Sequence, residues 1–239
     1  MIEAHLMRLR RLFPLNEAEE GVLRGLPSDS RRIPARRTLV HEHDLLDHSL
    51  LLTRGWLGRA KDAGSGKRQL TEVHLPGDFA DLHSFTLKRL DHKIVTLSDV
   101  SVARVPHARL EELTADHPRL ARIYWFLTNV DAAVHRQWAF LLGSVSARQR
   151  LAHLLCEFHT RLDVVGLSRN GIYDFPLTQD DLATCLGLTP VHVNRTLQEI
   201  RKTGFVEIRD RQVRIHDWPA LAKLADFHPE YLYQQPSVL

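Results

Sequence analysis

Between Leu177 and Ile200 the chain reads LTQDDLATCLGLTPVHVNRTLQEI. Two helical patterns meet there at a single glycine, and this junction restricts the local fold more than any other stretch. Thr178 is a good N-cap with Asp181 in the reciprocal capping-box position, and Leu182, Ala183 and Leu186 supply an apolar face. Gly187 suits the left-handed residue that ends a helix without a Cβ clash. Thr189 caps again, and Pro190 takes the first helical position, where no amide donor is needed. The second helix is expected to run to about Thr203.

Helical geometry sorts that second helix into faces. Val193, Leu197 and Ile200 share the inward side. Val191, Arg195, Gln198 and Lys202 share the opposite side, flanked by His192, Asn194 and Glu199. A helix braced by a partner and displaying hydrogen-bonding groups is what the DNA major groove admits. Arginine can make two parallel bonds to a guanine edge, which makes Arg195 the first candidate for base readout. The alternative is that the two helices are a packing motif with a solvated outer face.

After Gly204, Val206 and Ile208 alternate with polar residues, as do Val213 and Ile215, around Arg209-Asp-Arg-Gln212. That pattern predicts a β-hairpin wing. Residues 189–216 carry Arg195, Arg201, Lys202, Arg209, Arg211 and Arg214 against Glu199, Glu207 and Asp210. The local excess is positive, as phosphate contact requires. Thr189, Arg201, Lys202, Arg209 and Arg211 are the expected phosphate contacts, and double-stranded DNA the expected partner.

The rest of the chain must carry this unit. With 239 residues it suits one large domain or two modest ones. Its net charge of +3 neither requires nor excludes nucleic acid, although a pI near 9.0 leaves room for a local basic surface. The N-terminal MIEAHLMRLRRLF has scattered charges and no apolar run of signal-peptide length, and no segment approaches a membrane span. A cytoplasmic, membrane-free chain is expected. Residues 8–26 look helical, with Asn16 and Glu19 as a capping box. From about Ile33 to Val105 short β-type runs are separated by turns, predicting an antiparallel sandwich or barrel. Among them are 49–53, 69–75, 93–97 and 100–105, with a glycine-rich turn over 62–67.

A short helix over 107–115 is followed by a long apolar-rich run to Leu142. Leu120, Leu127, Val134 and Leu141 recur every seven residues, with Ile123 and Val130 three positions after the first two. Such a repeat is a seam for another helix and is read as a homodimer interface. The other reading lays this helix on its own β domain. Trp125, Phe126 and Trp138 fall off the repeat and are assigned to the sandwich side. Residues 143–146 look like a hinge, 147–162 an amphipathic helix, 163–174 a loop, and the segment from Tyr231 a loosely held tail.

With these elements in order, the chain resembles the Crp/Fnr family of bacterial transcription regulators. Leu177–Phe205 carries the most specific match, above all LTQDDLA, Gly187 and Val193-Asn-Arg-Thr-Leu197. The resemblance implies an α+β fold: an antiparallel cyclic-nucleotide-binding-like β-roll over 1–115, a dimerisation helix over 116–143, a winged helix-turn-helix over 144–226, and a tail over 227–239. It also implies contact with RNA polymerase, and a twofold dimer reading an inverted repeat with half-sites ~34 Å apart.

Departures from the family pattern are informative. Members that prefer the best-known half-site place a glutamate where this chain has Val191, while Arg195 matches the retained arginine. Valine cannot accept a hydrogen bond from cytosine but can touch a thymine methyl, so an altered site is expected. In the effector region, cyclic-AMP binders carry Gly-Glu-Leu and later Arg-Ser. Here Ala80-Asp81-Leu82 and Leu90-Asp91-His92-Lys93 stand instead. An aspartate where a phosphate docks is repulsive, so cyclic-nucleotide control is not expected, and Asp81, Leu82, Asp91, His92 and Lys93 are the candidate pocket for an unknown small-molecule effector. An iron–sulfur sensor needs several N-terminal cysteines, and none precedes Cys156. No cofactor is expected.

Fifteen histidines are many for this length, with His41, His43, His48, His74, His83 and His92 in the β region. His41 and His43 would share a face on a strand. Imidazoles bind metal or haem and sense pH, and they also occur as separate surface groups. A metal- or haem-dependent sensor, or a cupin-like metalloenzyme, is therefore the alternative reading. Against the enzyme, no HxH is joined to the spaced glutamate and histidine such sites use. Cys185, inside the first helix of the pair, reads as a small core side chain.

Overall fold

The computed structural model describes residues 1–236. Two short helices open it, α1 (Glu3–Leu12) and α2 (Glu17–Gly25), separated by Phe13-Pro-Leu15; Asn16 and Glu19 form the expected capping box. Seven strands follow: β1 (Asp29–Ile33), β2 (Thr38–Val40), β3 (His48–Arg54), β4 (Leu57–Asp62), β5 (Arg68–His74), β6 (Lys93–Thr96) and β7 (Val100–Pro106). A helical turn, α3 (Ser84–Leu87), interrupts them. They pair as two antiparallel sheets, ordered β1-β7-β3 and β2-β6-β4-β5. Leu50, Leu52, Leu57, Ile94, Val100 and Val102 fill the space between the sheets. This is the antiparallel roll that the turn-punctuated β texture predicts, with β1, β2 and β4 added to the runs legible in sequence.

Helix α4 (His107–Asp116) leads into α5 (Pro118–Ser144), which starts on a proline at its first turn. The predicted seam residues do not face outward. Leu120, Ile123 and Leu127 are buried with α1, α2 and α4, while Val134 and Trp138 are buried against β5 and the C-terminal helices. Val130 and Leu141 are buried too. All six heptad residues are thus used inside one protomer, which corrects their assignment to a homodimer interface. A seven-residue apolar period states that a helix buries one stripe, not what buries it. The assignment of Trp125 to the sandwich is reversed as well, since it is 71% exposed, and Phe140 is 55% exposed. Trp138 does turn inward, its indole N–H donating to Glu157.

The C-terminal unit is built from α6 (Ala147–Val164), β8 (Ser168–Arg169), β9 (Ile172–Asp174), α7 (Gln179–Leu186), α8 (Pro190–Lys202), β10 (Val206–Arg209), β11 (Gln212–Ile215) and α9 (Trp218–Ala225). Residues 163–174, expected as a loop, supply the last residues of α6 and two strands of a four-stranded sheet ordered β10-β11-β9-β8. Pairing with the wing makes strands of a stretch too short to show a period by itself. The expected loose tail is also corrected in part. Leu232 is buried and the Tyr231 hydroxyl donates to Glu157 at 2.7 Å. Residues 237–239 of that tail lie outside the described residues.

The two halves share one core. Trp56 of the roll meets Phe158 and Phe175 edge-on, with ring centroids 4.7 and 5.9 Å apart. Arg36 forms an ion pair with Asp181 of α7, and Arg150 donates to the Leu186 carbonyl. No helix among the described residues is long and apolar enough to cross a membrane.

Candidate nucleic-acid interface and the cavity behind it

Helix α7 begins with the predicted capping box: the Thr178 hydroxyl accepts from the Asp181 N–H and the Asp181 carboxylate accepts from the Thr178 N–H at 2.8 Å. It ends at Gly187, whose φ of +64° is left-handed, and an added Cβ would stand 3.2 Å from Leu142. The Thr189 hydroxyl then accepts from the His192 N–H, and Pro190 opens α8. Val193, Thr196, Leu197 and Ile200 are buried, so α8 is held along its inner side.

Its outer side is open. Val191 is 82% exposed, and Asn194, Arg195, Gln198, Glu199, Arg201 and Lys202 are exposed. The Arg195 side chain is 67% exposed, and its Nε lies 3.9 Å from a Glu199 carboxylate oxygen. Gln198 donates to Asn194 at 3.0 Å, so these two amides present one joint hydrogen-bonding edge. Arg201 donates one N–H to the Ile208 carbonyl, tying α8 to the wing and leaving its remaining donors outward. At the wing tip Asp210 and Arg211 both have positive φ, 52° and 58°, as a two-residue hairpin turn demands. Arg209 and Arg211 are exposed there. Thr189, Pro190, Val191, Asn194, Arg195, Gln198, Arg201, Lys202, Arg209 and Arg211 thus occupy one outward surface, with His192 half-buried at its edge.

The candidate effector residues do not stay together. Asp81 is fully buried and accepts the Leu50 N–H at 2.6 Å; burial pushes its carboxyl up to about 7. Leu82 lines a cavity of about 50 Å³ between the roll and α5. Asp91 and Lys93 instead face outward, pairing with Lys61 at 3.1 Å and Asp62 at 2.8 Å. His92 is buried beside His83, with ring centroids 5.4 Å apart. Strand alternation explains the split, since neighbours on β6 and its approach point to opposite faces.

Sequence reasoning missed the groups that fill the cavity wall. Arg59 on β4 is 2% exposed; its Nη1 donates to Glu72 at 3.1 Å and Asp131 at 2.8 Å, while Nε and Nη2 hold the Ala80 carbonyl. Burial acts against the guanidinium charge, and Asp131 and Glu72 outweigh it. Arg161 meets Asp78 at 2.6 Å and Glu157 at 2.8 Å. The only sequence signal was the i,i+4 spacing of Asp131 and His135 together with the i,i+2 spacing of Glu72 and His74. His41 and His43 lie in a turn after β2, not on a strand, so the shared face expected of them does not form. Cys185 is buried as expected, and burial raises its thiol pKa well above the usual value.

An antiparallel roll joined through one long helix to a winged helix-turn-helix defines a class, the DNA-binding transcription regulators that carry a sensor-type domain. The Crp-like helix-turn-helix domain matches residues 149–224 and the cyclic nucleotide-binding domain matches residues 30–117. This chain belongs to the Crp/Fnr family of transcription regulators. It is 25% identical over 211 residues to the transcriptional activator protein FnrA of Stutzerimonas stutzeri, covering 88% of this chain and 86% of that one. It is 24% identical over 212 residues to the anaerobic regulatory protein of Haemophilus influenzae, covering 89% and 82%. The structure of FixK2 from Bradyrhizobium japonicum superposes with a TM-score of 0.74 at 24% identity, over 82% of this chain and 96% of that one.

Proposed function

We propose that this chain is a cytoplasmic, sequence-specific regulator that binds an inverted repeat as a homodimer, with α8 in the major groove. The observation that carries this reading is Arg195: its guanidinium is exposed on a helix whose other side is locked by Val193, Leu197 and Ile200. Arg195, Asn194 and Gln198 read base edges, and Thr189, Arg201, Lys202, Arg209 and Arg211 hold phosphates. The dimer seam is the stripe of α5 left open by the protomer: Arg122, Trp125, Asn129, Ala132, Arg136 and Ala139. These also repeat by alternating steps of three and four, beside the exposed Phe140. Family kinship supports a further contact with RNA polymerase.

The regulator works without cyclic AMP and without an iron–sulfur cluster. A cavity of about 50 Å³ is far below the ~300 Å³ at which small-molecule pockets begin, and Arg59 already satisfies the carboxylates in its wall. Cysteines 156 and 185 are both buried in the C-terminal half.

Selection of bound duplexes from a random library, with and without a small-molecule extract, tests this reading. The expected product is an inverted repeat that departs from the family's usual half-site at the base pair facing Val191. Recovery of the usual half-site unchanged would refute the role of Val191. A folded dimer that retains no duplex at low salt would instead identify a sensing module with a structural helix pair. Micromolar binding of cyclic AMP or cyclic GMP would overturn the effector statement.

A further inference from the structure

Helix α7 carries α8, so whatever orients α7 orients the face offered to DNA. Both ends of α7 are completed by side chains from other elements. At the N-terminal end, the capping-box carboxylate of Asp181 also receives Arg36, whose Nη1 and Nη2 donate to its two oxygens at 2.5 and 2.8 Å. Burial acts against the Asp181 charge, and the bonds from Arg36 and Thr178 outweigh it, which holds the carboxyl below its usual value. At the C-terminal end, the last four carbonyls of any α-helix have no partner within it. In α7 the Gly187 and Leu188 N–H groups donate to the carbonyl of Ala183. The Gln69 side-chain amide donates to the carbonyl of Thr184 at 2.5 Å, with that of Cys185 at 3.4 Å, and Arg150 of α6 donates to that of Leu186. Arg36, between β1 and β2, and Gln69, on β5, both belong to the roll. Arg36 is moreover held at φ +64°, a costly conformation for a residue with a Cβ, by its N–H donating to the Thr96 carbonyl at 3.0 Å.

We propose that Arg36 and Gln69 are positioning residues for DNA recognition: gripping α7 near both ends, they fix how α8 is aimed relative to the roll, and with it the spacing of the two recognition helices in the dimer. This rests on the DNA-binding reading above and deepens it. The Trp56 contacts with Phe158 and Phe175 hold the two units together, but apolar contact is non-directional, whereas hydrogen bonds to a carboxylate and to carbonyls set an orientation. The pose held in this way is the binding pose, because Val191, Arg195 and Gln198 stand exposed in it, and a closed pose would cover them. The chain thus supplies from its own roll the aim that a bound effector would otherwise have to impose.

The test uses the full chain and three duplexes: the selected inverted repeat, the same repeat with one base pair added between half-sites, and a single half-site. An Arg36→Ala, Gln69→Ala double variant that holds the binding pose about a tenth of the time loses about tenfold in affinity for the repeat. It should bind the single half-site as wild type does and show a smaller penalty for the added base pair. Gln69→Ala alone, which changes no charge, should move the repeat in the same direction. Arg36 is exposed and Gln69 half-buried, so the variants keep the fold, which circular dichroism verifies. An unchanged penalty for the added base pair would overturn the positioning role. So would a salt slope smaller by about 0.9, which would make Arg36 a phosphate contact. Aim is also read without DNA. Spin labels at Glu111→Cys and Lys223→Cys, both exposed, in chains diluted into unlabelled protein should give one narrow distance distribution that broadens in the double variant, the native cysteines being buried. Equal widths would overturn the proposal with DNA binding intact, whereas a wild type that retains none of the duplexes would fail the DNA-binding reading and this role with it.

Discussion

Arg195 and Asp81 show opposite ways in which one residue is given its role. Arg195 is held outward by what its neighbours bury, so in the proposed function it serves DNA and not the fold. Arg195→Ala should weaken binding of the selected site by ~1–3 kcal/mol and relax preference at one base pair, with unchanged thermal stability. Fluorescence anisotropy against the parent and single-mismatch duplexes measures it; an unchanged mismatch profile would remove Arg195 from base readout. Asp81 acts within the fold. Burial raises its carboxyl to about 7 from an ordinary value of 3.8, so the native state holds a proton that the unfolded chain releases. Its stabilising contribution is therefore complete below pH 3.8 and lost as pH rises through about 7. His5, depressed by burial to about 4, and His83, to about 3, run the other way and lose their contribution as pH falls from 6.5. The difference between wild type and Asp81→Asn isolates the carboxyl. Wild-type unfolding free energy should fall relative to the variant between pH 4 and 7, by up to about 1.4 kcal/mol per pH unit. Parallel denaturation curves across that window would contradict it.

At the level of elements, legibility followed how local the determining interactions are. The α7–α8 pair was readable because caps, glycine, proline and apolar register all act within a few residues, and Thr178, Gly187 and Thr189 do what their positions imply. Strands β8 and β9 were not, because five residues cannot display a period and become strands when β9 pairs with β11 and β8 with β9. The wing makes a prediction of its own. Arg211 adopts φ +58°, a conformation glycine takes at less cost, so Arg211→Gly should raise thermal stability while weakening DNA binding. Arg209→Ala and Arg211→Ala should weaken all duplexes alike and lower the salt slope by about 0.9 each. Sequence-dependent losses would place these arginines at bases and not at phosphates.

Across the whole molecule, α5 presents two stripes. Its apolar stripe closes the protomer's core, and its mixed polar stripe, with Trp125 and Phe140, faces away. Two substitutions separate the stripes. Leu127→Ala should lower unfolding free energy by ~2–5 kcal/mol without changing the oligomeric state. Trp125→Glu should leave the protomer folded and shift the sedimentation coefficient from dimer to monomer, because a carboxylate would be buried against a second copy. A Trp125→Glu protein that remains dimeric would place the seam elsewhere. The Arg36–Asp181 pair and the Trp56 contacts with Phe158 and Phe175 bind the roll to the DNA-binding unit, so a change in the roll has a direct path to α7.

By itself the sequence determined the α7–α8 pair, the wing hairpin and the outward chemistry of α8, since capping, turn residues and local periodicity are interactions among neighbours. It determined the family resemblance for the same reason, through the dense local pattern of 177–205. Only the tertiary structure decided which stripe of α5 the core consumes and which is left exposed, because two interleaved seven-residue repeats look alike until something packs on one. It alone gathered Arg59, Glu72, Asp131 and His135 from two strands and a helix, residues up to 76 positions apart, where no local spacing could announce a buried charge cluster.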